Sequence, residues 1–539
     1  MESFHRPSFS ERDEGRFGFR VQWIKLNIRG IWSFMKSFRL PSTFSRLLYS
    51  STVVYLALPL LIFFSRWLKP WLAVLVCILL VATLVVVIKH VWKEGCDDQD
   101  RDISISPLVL FIGLALLLVW MYYSGSGAFS FQMQDYKKHN LIVDTLSTRP
   151  WPVMDKGEGG QDVVLVYYLA YYLPAGLVGK FLGVHAADLT MFIWTLLAVF
   201  LFFGWVSKIN RRITLPMILL MVFFSGMDVI GFWIAQRDVT PLLTFTHLER
   251  WSIYFEYSSF TSLMYWVPQH LIPGWLVTAA LVDTYFSGKR LASMVFMSSL
   301  VIFWSPFVLL GLIPFLVLIM LTHRKNLRSV FSWINILPSF VVVALVAAYI
   351  LINPSSDNTS GWIWTLTPNW IHDLILFCLI EFLVLASLLL VLLRGSDRSV
   401  KKLLWFTTIL LALIPFYKVG VYDDFCMRVS IPGIVVLFLL TIRALDGIRF
   451  KHQTFPGKLV ILLVVAILVV GSVTPVMEIG RSVTNTDFGG KPRIEVLQKG
   501  SLYDTFWRLI RKQEKKETIT EQYLFKGELP DYAHMLFDF

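Results

Sequence analysis

Hydrophobic positions in this chain run in continuous blocks, with polar positions confined to the stretches between them. Blocks of about 20 apolar residues suit helices that cross a hydrocarbon core ~30 Å thick. The pattern predicts spans at 46–64, 71–90, 107–123, 189–206, 214–235, 271–286, 334–352, 373–393, 403–416, 429–442 and 459–476. The block 291–321 is too long for one span and is interrupted at Ser305-Pro306, so it reads as two short spans meeting at Trp304-Ser305-Pro306. Counting those two, the expected fold is an all-α polytopic membrane protein of about 13 transmembrane helices. A β-barrel is excluded, because its strands would alternate apolar and polar residues.

Charge decides one further block. Residues 163–182 are long enough to cross, but a crossing there would put Lys208, Arg211 and Arg212 on the outer side. Laid along the outer surface as interfacial helices, the same block leaves those charges inside, as the positive-inside rule requires. Its tyrosines (Tyr167, Tyr168, Tyr171, Tyr172) and Pro174 suit a membrane interface. The sign pattern then holds along the chain, with the N-terminus cytoplasmic and the C-terminus outside. The expected organisation is a cytoplasmic basic tail (1–45) containing a surface helix near Val21–Phe38, an N-terminal transmembrane hairpin (46–106), a membrane core (107–477) with outer loops at 124–188, 236–270 and 417–428, and an outer-face tail (478–539).

Composition agrees with the pattern. Of 539 residues, 56% are hydrophobic and 16% charged, against roughly 25% charged in soluble domains, and the mean hydropathy is +0.63. The net charge of +12 lies in the tails and short loops and reflects membrane orientation, so no nucleic-acid partner is expected. Four cysteines (Cys77, Cys96, Cys378, Cys426) show neither paired nor metal-type spacing. The first apolar block begins near Arg46, behind a basic stretch, and reads as an anchor rather than a cleaved signal.

Candidate chemistry sits in three outer clusters. The first is Asp135, Lys138 and His139. The second is Glu249, Glu256, Gln269 and His270, with His247 nearby and Asp228 just below. The third is Lys418, Tyr422, Asp423, Asp424 and Arg428. Ionisable groups near membrane depth are costly and mark function. The residue types suit group transfer from a phosphate-linked donor: Asp135 as general base, Arg428 as a planar fork on phosphate with Lys138, His139 or His270 assisting, and Asp228, Glu256, Gln269, Asp423 and Asp424 as substrate ligands. Asp135 could equally bind a divalent metal that helps the phosphate leave; no cofactor is required by the residues. The Glu249-Arg250 pair reads as a surface ion pair.

The order of parts resembles the C-type glycosyltransferase superfamily. The resemblance rests on Asp135 in a first outer loop, Tyr171-Tyr172-Leu173-Pro174 opening an interfacial helix, Gly183-Val184-His185-Ala186-Ala187 before an inward span, and Lys208-Ile209-Asn210-Arg211-Arg212 after it. Within it, the chain is similar to a bacterial group carrying stretches like Asp135-Tyr136-x-Lys138-His139-Asn140, Trp266-Val267-Pro268-Gln269-His270 and Asp424-Phe425-Cys426-Met427-Arg428. The resemblance covers roughly residues 107–445. It implies an inverting membrane enzyme that moves a sugar from a polyprenyl-phosphate donor to a glycan, lipid or protein acceptor on the outer face of the cell membrane. The chain departs from the superfamily in lacking a paired acid beside Asp135, where Tyr136 and Lys137 follow, and in carrying two spans before the loop's own span. A lipid-linked glycan flippase, and an inactive scaffold in envelope polysaccharide assembly, are the competing expectations.

Overall fold

The computed structural model describes residues 38–41, 43–94, 104–157, 160–237, 240–353, 360–420, 423–446, 454–490, 493–495, 500–511 and 523–539. The expected surface helix at Val21–Phe38 (all but its last residue), Cys96 and Tyr422 lie outside them.

The chain is an all-α membrane protein. Its principal helices are α1 (Phe44–Trp67), α2 (Pro70–Lys93), α3 (Pro107–Tyr122), α4 (Tyr136–Thr148), α5 (Leu173–Leu182), α6 (Val184–Asn210), α7 (Leu215–Phe223), α8 (Asp228–Gln236), α9 (Phe260–Trp266) and α10 (Pro268–Ser287). They continue as α11 (Pro306–Thr322), α12 (Trp333–Ile350), α13 (Trp370–Leu392), α14 (Arg398–Leu413), α15 (Asp424–Val429), α16 (Ile431–Asp446), α17 (Phe455–Gly471) and α18 (Val473–Asn485). Among the described residues, eight helical segments are long and apolar enough to cross a membrane, or nine if α11 and the bent turn after it count as one. The expected 13 also counts α3 and α16, which at 16 residues each reach only about 24 Å at 1.5 Å per residue, and α10, which is 20 residues long but carries Gln269, His270 and Asp283 and is less apolar. The 291–303 stretch is likewise a short mixture of α and 3-10 turns. It stops where the sequence predicts a break: Ser305 caps α11, its hydroxyl accepting the Val308 amide, and Pro306 opens the helix because its missing N–H costs nothing there.

The block at 163–182 is not a continuous helix. It begins as a strand, and only α5, ten residues long, is helical. At about 15 Å α5 covers half a hydrocarbon core, so this block does not cross by itself.

Two apolar helices lie at the centre. In α10 and α16 nearly every side chain is buried, as expected for helices that are hydrophobic all round. They meet at Gly274, where a Cβ would come within 2.4 Å of the Ile431 side chain. Around them stand α6, α11, α14 and the N-terminal hairpin. That hairpin is built into the core: Trp205 donates to Thr52, Tyr55 donates to the Trp194 carbonyl, and Trp304 donates to the Leu56 carbonyl. The Tyr55 ring also stacks on Trp194 at 4.0 Å. In contrast α2 and α17 leave long apolar faces uncovered, as helices in contact with lipid do.

Short strands fix the loops. β1 (Phe38–Arg39) pairs with β2 (Ser104–Ile105). β3 (Met154–Lys156), β4 (Asp162–Leu165) and β7 (Leu524–Gly527) form a three-stranded antiparallel sheet in the order β3-β4-β7. β5 (Gly361–Trp362) pairs with β6 (Tyr417–Lys418). The C-terminal segment is therefore no separate tail. It returns as β7, and its end docks on the turn between α1 and α2 through the Lys69 amide on the Leu536 carbonyl and the Asp538 amide on the Trp67 carbonyl.

The two ends of the bundle differ in chemistry. One carries the ion pairs Lys208–Asp283 (2.7 Å), Arg290–Asp283 (2.5 Å) and Arg212–Asp446. The other gathers the 124–162 loop, the 236–259 loop, β6 with α15, and the C-terminal segment.

Candidate functional site

Helix α4 starts one residue after Asp135, so Asp135 sits at its N-cap and Lys138 and His139 occupy its first turn. Lys138 Nζ pairs with Asp135 Oδ1 at 3.4 Å. On a separate element, Asp423 takes the left-handed conformation and its Oδ1 accepts the Cys426 amide, capping α15. The next residue, Asp424, faces Arg428 one turn on, with 2.6 Å between Oδ1 and Nη2. The adjacent acids thus divide the work: Asp423 is a buried cap, and Asp424 is the partner of the guanidinium.

The fields of both ion pairs reach Tyr523. Its hydroxyl is pushed up by burial, pulled down by the fields of Lys138 and Arg428, and pushed up by those of Asp135 and Asp424. One phenol therefore senses all four charges. Lys138 in turn is held protonated by the Tyr523 oxygen and by Asp135 and Asp424. Burial opposes the charge on Arg428, but Asp424 with Tyr168, Tyr167 and Tyr523 outweighs it. The tyrosines form the wall: Tyr167 lies 3.7 Å from Tyr168 and 4.7 Å from Tyr523, ring to ring, and Tyr168 lies 5.1 Å from the His270 ring. β7 is what delivers Tyr523, whose carbonyl accepts the Val166 amide at the end of β4. Asp135, Lys138 and Asp424 keep 29%, 32% and 35% of their side-chain surface open, so the group is reachable from outside.

The two histidines are placed differently. His139 uses both ring nitrogens inside the fold: Nε2 lies 2.8 Å from the Trp266 carbonyl and Nδ1 lies 2.7 Å from the Tyr172 hydroxyl. A carbonyl only accepts, so Nε2 carries the proton and Nδ1 accepts from Tyr172. Burial lowers the His139 pKa, and the neutral ring holds α4 against α9 and the start of α5. His270 bonds Ser305 through Nδ1 at 2.7 Å, while its Nε2 is buried with no protein partner. Gln269, also buried, leaves Oε1 unpartnered. The His270 ring borders the tyrosine wall; His139 supports it from behind.

A second constellation lies in the 236–259 loop. One ligand atom each from His247, Glu249 and Glu256 lies within 4.8 Å of the others. His247 Nδ1 bonds Glu478 Oε1 at 2.7 Å, and Glu478 Oε2 accepts from Trp266 Nε1 and Arg481 Nη1. Burial disfavours the His247 cation, but Glu478, with Glu249 and Glu256 behind it, more than compensates and lifts its pKa to about 9. Burial pushes the Glu249 carboxyl up to about 8, with His247 opposing and Asp228 and Glu256 adding to it. Glu249 is therefore no surface ion-pair residue; it is 1% exposed. Glu256 feels the field of Asp424, so the two constellations are neighbours. Asp228 is deeper. It opens α8 after the chain breaks at 224–227, and Oδ2 accepts from Ser225 and Thr474 at 2.9 Å each. Its neighbour Glu381 sits in a π-helical turn of α13, 2.1 Å from where a Cβ on Gly226 would stand.

Four contributors escaped the sequence reading: Glu478, Arg481, Arg493 and Tyr523, all assigned there to the outer-face tail 478–539. Arg493 clamps Asp144 bidentately (2.5 and 3.2 Å) and Asp188 (2.7 Å), fastening the C-terminal segment to α4 and α6. The one local signal was Glu478-x-x-Arg481, an i,i+3 charge pair continuing an apolar helix.

No protein-family model matches this chain, and no curated protein is significantly similar to it, so the functional argument rests on these side chains.

Proposed function

We propose that this protein is an inverting membrane glycosyltransferase of the C-type architecture, taking a sugar from a polyprenyl-phosphate carrier. The observation that carries the reading is the pairing of two cations with two carboxylates around Tyr523, in a site open to solvent. A sugar phosphate needs both signs: cations for the phosphate and carboxylates for hydroxyl groups. Asp135 accepts the proton of the acceptor hydroxyl as its oxygen bonds to the sugar C1 from the face opposite the phosphate. The C1–O bond to the carrier breaks as that bond forms, and its electron pair leaves on the polyprenyl phosphate. Arg428 takes up the charge that develops on the leaving oxygen, the kind of fixed electrostatic stabilisation that is often the largest catalytic term, while Lys138, paired with Asp135, holds that carboxylate on the acceptor side. Asp424, adjoining Arg428, holds a sugar hydroxyl, and His270 Nε2 offers a further polar contact at the wall. The basic rim at the opposite end of the bundle supports an orientation with this site on the outer face of the cell membrane. In this reading α3, α10, α16 and the 291–303 stretch cross together with α11 and the eight long apolar segments, giving 13 crossings.

A flippase for lipid-linked glycans is the second reading, favoured by one observation. The helix pair α7 and α8 is broken beside the buried acids Asp228 and Glu381, and broken helices with acids mark transport sites. Reconstituted protein given a labelled polyprenyl-phosphate sugar separates the two. Transfer leaves the label on an acceptor, whereas flipping leaves it on the carrier in the opposite leaflet. An inactive scaffold does neither.

A further inference from the structure

The 236–259 loop has features that sugar transfer at Asp135 does not use. Three potential ligands, His247, Glu249 and Glu256, come from ten consecutive residues and already converge within 4.8 Å. Each also has a partner on one side-chain atom, and Arg250 Nε faces the second oxygen of Glu256 at 4.0 Å. Glu478 binds His247 Nδ1, which directs Nε2 away from it. The Ser259 amide binds Glu249 Oε1 at 2.8 Å. The Ser258 hydroxyl binds Glu256 Oε1 at 3.0 Å. The second oxygen of Glu249 is buried and has no protein partner, a costly arrangement for an acid at 1% exposure. A carboxylate behind a histidine is the usual outer support of a metal-binding imidazole, and here Glu478 is itself fixed by Trp266 and Arg481.

We propose that His247, Glu249 and Glu256 form a mononuclear site for a divalent first-row transition metal of the zinc or manganese type, oriented by Glu478. One imidazole with two carboxylates suits those ions. Soft ions such as Cu(I) prefer sulfur, and Mg2+ prefers an all-oxygen shell. Bonds of about 2.0–2.2 Å require the three ligand atoms to draw in from their present separation of up to 4.8 Å. His247 keeps 18% of its side-chain surface open, which gives the ion a way in. Since α18 supplies Glu478, a bound ion would tie the loop to α18.

The test uses the full chain in lipid nanodiscs, stripped with chelator and titrated separately with Zn2+, Mn2+ and Mg2+. The proposal expects one Zn2+ or Mn2+ per chain, affinity lowered at least tenfold in His247→Gln and Glu249→Gln, a 10- to 100-fold loss in Glu478→Gln, and unchanged binding in Asp135→Asn. Because loop variants can misfold, X-ray absorption at the zinc edge of the wild type gives a second reading, with one imidazole among oxygen ligands expected. Uptake of well under one equivalent, binding of Mg2+ alone, equal affinity in all variants, or a sulfur-containing shell would each overturn it.

Discussion

Asp423 offers a direct check on the electrostatics of the site, because it is an acid spent on folding. Its carboxyl is buried, with Lys418 as the nearest helpful charge, and burial pushes it up from 3.8 to about 7 despite the Cys426 amide. Between those values the unfolded chain is ionised while the folded chain holds its proton. The unfolded state then binds fewer protons, so stability falls as pH rises from about 4 to about 7 and levels off above. At 1.36 kcal/mol per pKa unit, the separation from 3.8 to about 7 corresponds to about 4 kcal/mol lost at pH 8. Asp423→Asn removes the titration and keeps an equally good cap. The variant should match wild type near pH 4 and gain progressively on it up to pH 7. The assay is thermal unfolding of detergent-solubilised protein across pH 4–8. A gain that is the same at every pH, or a loss that grows with pH, would refute the burial argument.

Two further perturbations test the packing. Gly226→Ala places a methyl 2.1 Å from Glu381 Oε2 and 3.0 Å from its Cα, so overpacking by about 1–3 kcal/mol should lower the melting temperature by several degrees; an unchanged melting temperature would show that the α7–α8 break adapts freely. Arg493→Gln leaves Asp144 and Asp188 without their cation. Unpairing buried charges costs ~3–5 kcal/mol, so protease should release the C-terminal segment faster. Adding Asp144→Asn and Asp188→Asn should restore resistance, and if the triple variant is as sensitive as the single one, the clamp is not electrostatic.

Local signals explain what the sequence could reveal. Apolar blocks, Ser305-Pro306 and the tyrosine-rich stretch before α5 each act over a few residues, and each reappears as a helix, a break or a short non-crossing element. That the Asp135 and Asp424–Arg428 groups could share one cavity was an expectation drawn from their shared end of the spans. Three things were not legible. The number of crossings depends on helix lengths, which an apolar run alone does not fix. The role of Asp423 depends on a left-handed backbone angle. The C-terminal contribution depends on contacts across hundreds of residues: β7 pairs with β4 through only four residues, too few to distinguish from a polar tail. Glu249 was misread for a related reason, since adjacency to Arg250 says nothing about Ser259 or His247 on its other sides.

The central claim is transfer at the paired ion site, and the most direct measurement is incorporation of labelled sugar from polyprenyl-phosphate donors by purified protein in lipid. The account predicts incorporation by wild type, a fall of at least 100-fold in Asp135→Asn, where a base is lost, and a comparable fall in Arg428→Ala. Equal incorporation by all three proteins, or labelled carrier moved between leaflets without any transfer, would contradict it.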